Sequence, residues 1–178
     1  MLMRPTLNLA PSRPGAVGAL MDEYERAIRD LTRVVVGLNQ AEFDCLRDAG
    51  TTDEDCRSIA TVVRHVLRSG KGYARYLGDA LGFVPAFTDA AVANPTEAVE
   101  QLEGLAHHTA TALEGQWHLP DQVLAGVRIQ SRWGPVFDGE QMFEHAIVHV
   151  LRHRRQIERF LQRVAEMRSQ ESPGQFRS

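Results

Sequence analysis

Three histidines, His145, His149 and His153, recur every four residues along the stretch GEQMFEHAIVHVLRHRRQIERFL. Four residues of α-helix turn through about 400°, so successive members stack one turn apart on nearly one face. Two imidazoles placed this way can reach one divalent ion at about 2.0–2.1 Å, and a third ligand must then come from a facing helix. Val150 and Ile157 centre the apolar stripe, which puts His149 and His153 on its flank and His145 farther towards solvent. His65 holds a similar flank position in another stretch, beside Val62 and Val66. A half-buried imidazole there needs a polar partner. Spacing alone fits two readings: a metal-binding set, or separate histidines in which the row is solvated and His65 bonds a carbonyl.

Four stretches have the helical periodicity to carry such groups. The first covers about 15–38, with Val17, Leu20, Met21, Tyr24, Ile28, Leu31, Val34 and Val35 at three- and four-residue steps. The second follows the acidic cluster Asp53, Glu54 and Asp55, whose carboxylates suit a helix N-terminus. It runs through Ile59, Val62, Val66, Tyr73 and Leu77 to about Leu81, where Gly82 can end it. Gly70 inside it costs roughly 1 kcal/mol against alanine, which implies close packing at that point. The third opens at Asn94-Pro95, a cap followed by proline at the first helical position, and runs to about 116. The fourth starts near Asp138 or Gly139 and continues to about 168. Segments 85–93 and 118–137 read as connectors, with at most a short extended piece within 123–131. Four amphipathic helices must bury their stripes against one another, which predicts an all-α four-helix bundle. One domain is expected over 1–178, with mobile tails at about 1–13 and 171–178.

The remaining polar residues narrow the chemistry. Trp133 lies in the loop SRWGPVFDG just before the fourth helix, placed to wall a pocket or to anchor the loop. Tyr73 and Tyr76 follow His65 by two to three turns and fit core or rim positions. Glu144 and Glu158 flank the histidine row but point away from it, while Glu97, Glu100 and Glu103 suit a solvated face. His107 and His108 are adjacent, so they cannot face the same way, and a surface place is expected. The chain contains no Gly-rich phosphate loop, HExxH, GxSxG or Glu-xx-His pair. Arg152, Arg154, Arg155 and Arg159 cluster, but Glu158 and a net charge of −3 dilute them, so nucleic acid is not an expected partner. Cys45 and Cys56 form neither a disulfide framework nor a thiolate site. With no eighteen-residue apolar run and no leader-like segment, a cytoplasmic protein without a membrane span is expected.

The histidine stretch resembles the last helix of the DinB/YfiT-like family. There, two metal-binding histidines four residues apart are followed by an arginine and then a glutamine. The matching positions are His149, His153, Arg154 and Gln156. The family's third ligand lies midway along its second helix, in a context resembling SIATVVRHVLRSG, which falls on His65. Helix order and spacing extend the resemblance over nearly the whole chain, though only these two segments are specific. It implies an up-down-down-up bundle holding one divalent ion on His65, His149 and His153, with a coordination position left open. Imidazole ligands serve Zn, Ni, Cu or Fe(II) alike. His145 is additional to the family pattern and can cover the site, donate to a bound water or lie exposed. Together with Trp133 and Tyr73 it is an expected pocket or outer-shell residue. The resemblance implies a small-molecule enzyme, of thiol S-transferase, thiol-dependent isomerase or hydrolase type, with a low-molecular-weight thiol or water as nucleophile. It also implies a homodimer. The alternative is a non-catalytic metal-binding or stress-response protein whose ion locks the second helix to the fourth.

Overall fold

The computed structural model describes residues 12–88 and 90–171. Helix α1 (Gly15–Val35) follows the predicted apolar spacing and stops three residues early, because Val36 turns extended and Gly37 takes φ +88°. A short helix, α2 (Gln40–Asp44), comes next, held by a reciprocal cap between Asn39 and Glu42. Five residues are too few to show a periodicity, so the sequence reading passed over it.

The acidic cluster departs from its expected role. Glu54–Cys56 is a 3₁₀ turn, and the long helix α3 (Ile59–Leu81) starts after it. Its cap is Ser58 paired with Thr61, which satisfies the free N–H groups without the carboxylates. Arg47 and Asp48 both donate backbone N–H to the Arg57 carbonyl, at 2.8 and 3.2 Å, so the turn is pinned beside the start of α3. Gly82 closes α3 in the left-handed region at φ +82°, as its position predicted.

Helix α4 (Pro95–Ala112) begins at Asn94, whose side chain accepts the Glu97 N–H at 2.9 Å, and ends before the expected 116. Glu97 is not part of a solvated face: it accepts the Ala93 N–H at 2.7 Å and is half-buried, whereas Glu100 and Glu103 are exposed. The connector 118–137 carries structure of its own, a short α5 (Asp121–Gly126) and a two-residue hairpin. The hairpin pairs β1 (Ile129–Gln130) with β2 (Val136–Phe137), and β1 falls within the extended piece anticipated at 123–131. Helix α6 (Gly139–Glu171) opens on a reciprocal cap between Asp138 and Gln141.

The chain is all-α apart from that hairpin. The four long helices pack in the cyclic order α1–α4–α3–α6, each against two of the others. Met21, Leu31, Val62, Val63, Leu102, Met142 and Ile157 are among the fully buried side chains of one apolar cluster. Gly70 marks the tightest crossing: a Cβ there would lie 2.6 Å from Leu105 Cδ2 and 2.8 Å from Tyr24 Oη. Arg154 reaches Asp30 at 3.1 Å and ties α6 to α1. Among the described residues, no helix is long and apolar enough to cross a membrane. The tails expected at 1–13 and 171–178 fall mostly outside the described residues. Arg13 lies inside them and is held by ion pairs to Asp22 and Glu25.

Candidate metal centre

His65 stands about two turns into α3, and His149 and His153 stand one turn apart on α6, the helix that packs against it. Their ring centroids are 4.5 to 4.9 Å apart, and their ligand-capable atoms all lie within 4.8 Å of one another. His149 and His153 are buried and His65 is half-buried, so the cluster sits just inside the surface.

Outer partners set the tautomers. His65 Nδ1 lies 3.2 Å from Asp55 Oδ2 and 3.3 Å from Arg68 Nη2; when its proton is on Nδ1 and donated to the carboxylate, the lone pair is on Nε2. Arg68 bonds the same Asp55 oxygen and steadies it. His153 Nδ1–H donates to Gln156 Oε1 at 2.9 Å, and Gln156 Nε2 donates to the Cys56 carbonyl at 3.5 Å, which fixes the amide's orientation. His153 therefore also presents a bare Nε2.

His149 is the informative member. Its Nε2 lies 3.0 Å from His65 Nε2, while its Nδ1 is buried with no hydrogen-bond partner. Without an ion, a proton on His149 Nε2 can be donated to His65 Nε2; with that proton on Nδ1 instead, the two Nε2 lone pairs could share a cation. The spacing of this pair fits: nitrogens about 2.0–2.1 Å from one ion, at angles of about 90–110°, stand about 3.0–3.4 Å apart. Burial, reinforced by His153 and His65, pushes the His149 pKa down to about 3. Burial also lowers that of His153, against the opposing pull of Gln156. Both rings are neutral near pH 7, the state that ligates. The three imidazoles are a donor set that could hold a metal ion.

His145 does not join the three and is not exposed, contrary to its expected drift towards solvent. The hairpin folds Trp133 over it, stacked at 5.6 Å and 24°, with Phe137 and Tyr73 each at 5.3 Å. Tyr73 also meets His149 at 5.4 Å. The Tyr76 hydroxyl accepts the Arg132 N–H at 3.0 Å and anchors the Trp133 loop to α3. Tyr73, Tyr76, Trp133 and His145 wall a cleft of about 550 Å³ that opens onto His65 and His149. Burial lowers the His145 pKa, and Arg152 adds to that effect. Glu144 is exposed and Glu158 pairs with Arg154 at 3.4 Å, so neither serves the centre. His107 is exposed and His108 packs edge-on against Phe87, both away from the site.

Asp55 is the site residue that sequence reasoning missed. It precedes His65 by ten positions and meets it only because the 3₁₀ turn folds back along α3. Gln156, three residues after His153, was visible as a one-turn neighbour. No protein-family model, curated protein or solved structure matches this chain.

Loss of an outer-shell carboxylate typically lowers metal affinity 10–100-fold. Asp55→Ala should therefore weaken metal binding by about that factor in a competition titration with a coloured chelator. Unchanged affinity would show that the Asp55–His65 contact does not orient the ring.

Proposed function

We propose that this chain is a divalent-metal-dependent enzyme of the DinB/YfiT-like type, an up-down-down-up bundle holding one ion on His65, His149 and His153. The observation that carries the proposal is the convergence of three imidazoles from two helices, two with their distal nitrogens already hydrogen-bonded. Three neutral nitrogens leave coordination positions open, which separates catalytic from closed structural sites. An ion held there lowers the pKa of a coordinated water or thiol and so supplies a nucleophile at neutral pH.

The protein's own side chains do the rest. Asp55 and Gln156 hold the His65 and His153 rings in place by their distal N–H groups. Trp133 packs against Tyr73 and Phe137, and this aromatic cluster lies on one side of the centre. His145, neutral at pH 7, stands in that cluster able to accept a proton from a bound substrate. Cys56 lines the same cleft as the histidines, but its thiol donates to Asp53 and burial raises its pKa, so it stays protonated, which favours a small thiol or water as nucleophile. Thiol transfer or hydrolysis of a small electrophile is the reading we adopt, with the protein acting as a homodimer.

The test is turnover of a chromogenic electrophile by metal-loaded protein, with and without bacillithiol, mycothiol or glutathione, against His149→Ala. Thiol-dependent rates that vanish in the variant support transfer, and metal-dependent rates without thiol support hydrolysis. Equal rates in both proteins would leave the ion a structural lock between α3 and α6. Light scattering on the same preparation reads the dimer; a mass of one chain would refute it.

A further inference from the structure

We propose that the arginine row of α6 beside the histidines is the binding site for a small anion carrying carboxylate or phosphate groups. The proposal rests on the reading above in one respect: it names the charge of the molecule that shares the metal centre. Arg152, Arg155, Arg159 and Arg163 recur at three- and four-residue steps, so they share one face of the helix. With Asp48 and Asp53 they line a second cleft, of about 680 Å³, that also contains His65, His149 and His153. That volume is the size of a small-molecule site. His65, His149 and Arg152 belong to this cleft and to the aromatic one, so the histidines stand between two approaches of opposite character.

Other cations near the centre are already engaged. Arg68 bonds Asp55, and Arg154 bonds Asp30 and Glu158. The four of the row make no ion pair or hydrogen bond among the described residues. The two carboxylates of the cleft bond neighbouring N–H and S–H groups rather than these arginines, and against four guanidinium groups they leave the cleft with an excess of positive charge. Asp48 accepts the Gly50 and Thr51 N–H groups at 3.2 Å, and Asp53 accepts Asp55 N–H at 3.0 Å and the Cys56 thiol at 3.4 Å. Neighbouring like charges on one helix face repel each other, and an anion set between two or three of them relieves that repulsion. Guanidinium groups bind carboxylate and phosphate in two-point fashion, which makes arginine the fitting residue for either. A thiol or substrate bearing such groups on its far end would lie along α6 with its reactive end at the histidines.

The experiment uses the full chain and the double variant Arg155→Gln/Arg159→Gln, whose side chains are exposed and whose melting curve should match wild type. Metal-free protein is titrated calorimetrically with succinate and, separately, with inorganic phosphate, at low and high salt. Wild type should bind one of them about ten-fold more tightly than the variant at low salt, and high salt should erase the difference. The tighter of the two assigns the chemical class. A second arm loads the protein with Co(II) and follows its visible absorption during addition of 3-mercaptopropionate or neutral 2-mercaptoethanol. The anionic thiol should saturate at about ten-fold lower concentration in wild type and lose that advantage in the variant. Equal affinities in both proteins would overturn the anion site even where cobalt and thiol bind normally. Failure to bind cobalt at all would instead remove the metal reading, and the metal-free titration would still decide this one.

Discussion

Protein purified after zinc or nickel loading should carry about one ion per chain, and alanine at His65, His149 or His153 should remove most of it. Each variant leaves two nitrogens where three converged within 4.8 Å. The loss should exceed the 10–100-fold that removal of an outer-shell partner costs, so that an ion at protein concentration is no longer retained through gel filtration. His145→Ala is the control, because its ring stacks on Trp133 and stands outside the convergent set. An ion bound only by the folded chain also raises the melting temperature, by an amount that grows with the logarithm of its concentration over Kd. Wild type should therefore melt lower in chelator, and the three variants should melt alike with or without it. Elemental analysis settles the matter: full retention by His153→Ala would rule out this ligand set.

Acid should destabilise the metal-free protein through the same rings. His149 titrates near 6.5 when unfolded, but burial holds it at about 3 in the folded chain. Between those values the unfolded state binds the extra proton, so stability rises with pH. The contribution is fully present above about 6.5 and is lost progressively as the pH falls towards 3. At about 1.4 kcal/mol per pKa unit, His149 alone accounts for on the order of 5 kcal/mol at the acid end. His153, also lowered, acts in the same direction. Urea unfolding of chelated protein from pH 7.5 down to 4 measures it. His149→Gln, which cannot take up a proton, should flatten the slope. An equally steep slope in that variant would place the acid sensitivity elsewhere.

The helices were legible in the sequence to within a few residues because their signal is local. Apolar residues at three- and four-residue steps mark a face, and Asn94-Pro95 and Gly82 mark ends by backbone chemistry alone. The stacking of His149 and His153 follows from the same period. What could not be read depends on segments brought together by tertiary packing. Asp55 looked like a helix-dipole carboxylate until the turn before α3 placed it on His65. The angle of His145 to the apolar stripe says nothing of the hairpin over 129–137 that folds Trp133 and Phe137 over it. Short elements such as α2 and the hairpin lack enough residues to show any period.

The 84-residue separation between His65 and His149 has a consequence for biosynthesis. During translation α3 leaves the ribosome well before α6, so for much of that time His65 and Asp55 are present without their partners. A lone imidazole–carboxylate pair has little hold on a divalent ion, and closing so long a loop comes late because its entropy must be overcome by α6 packing. Were the three histidines to hold an ion, its capture would be confined to chains whose last long helix has docked. Ion occupancy would then record completed folding, and nascent chains would not compete with finished protein for scarce metal.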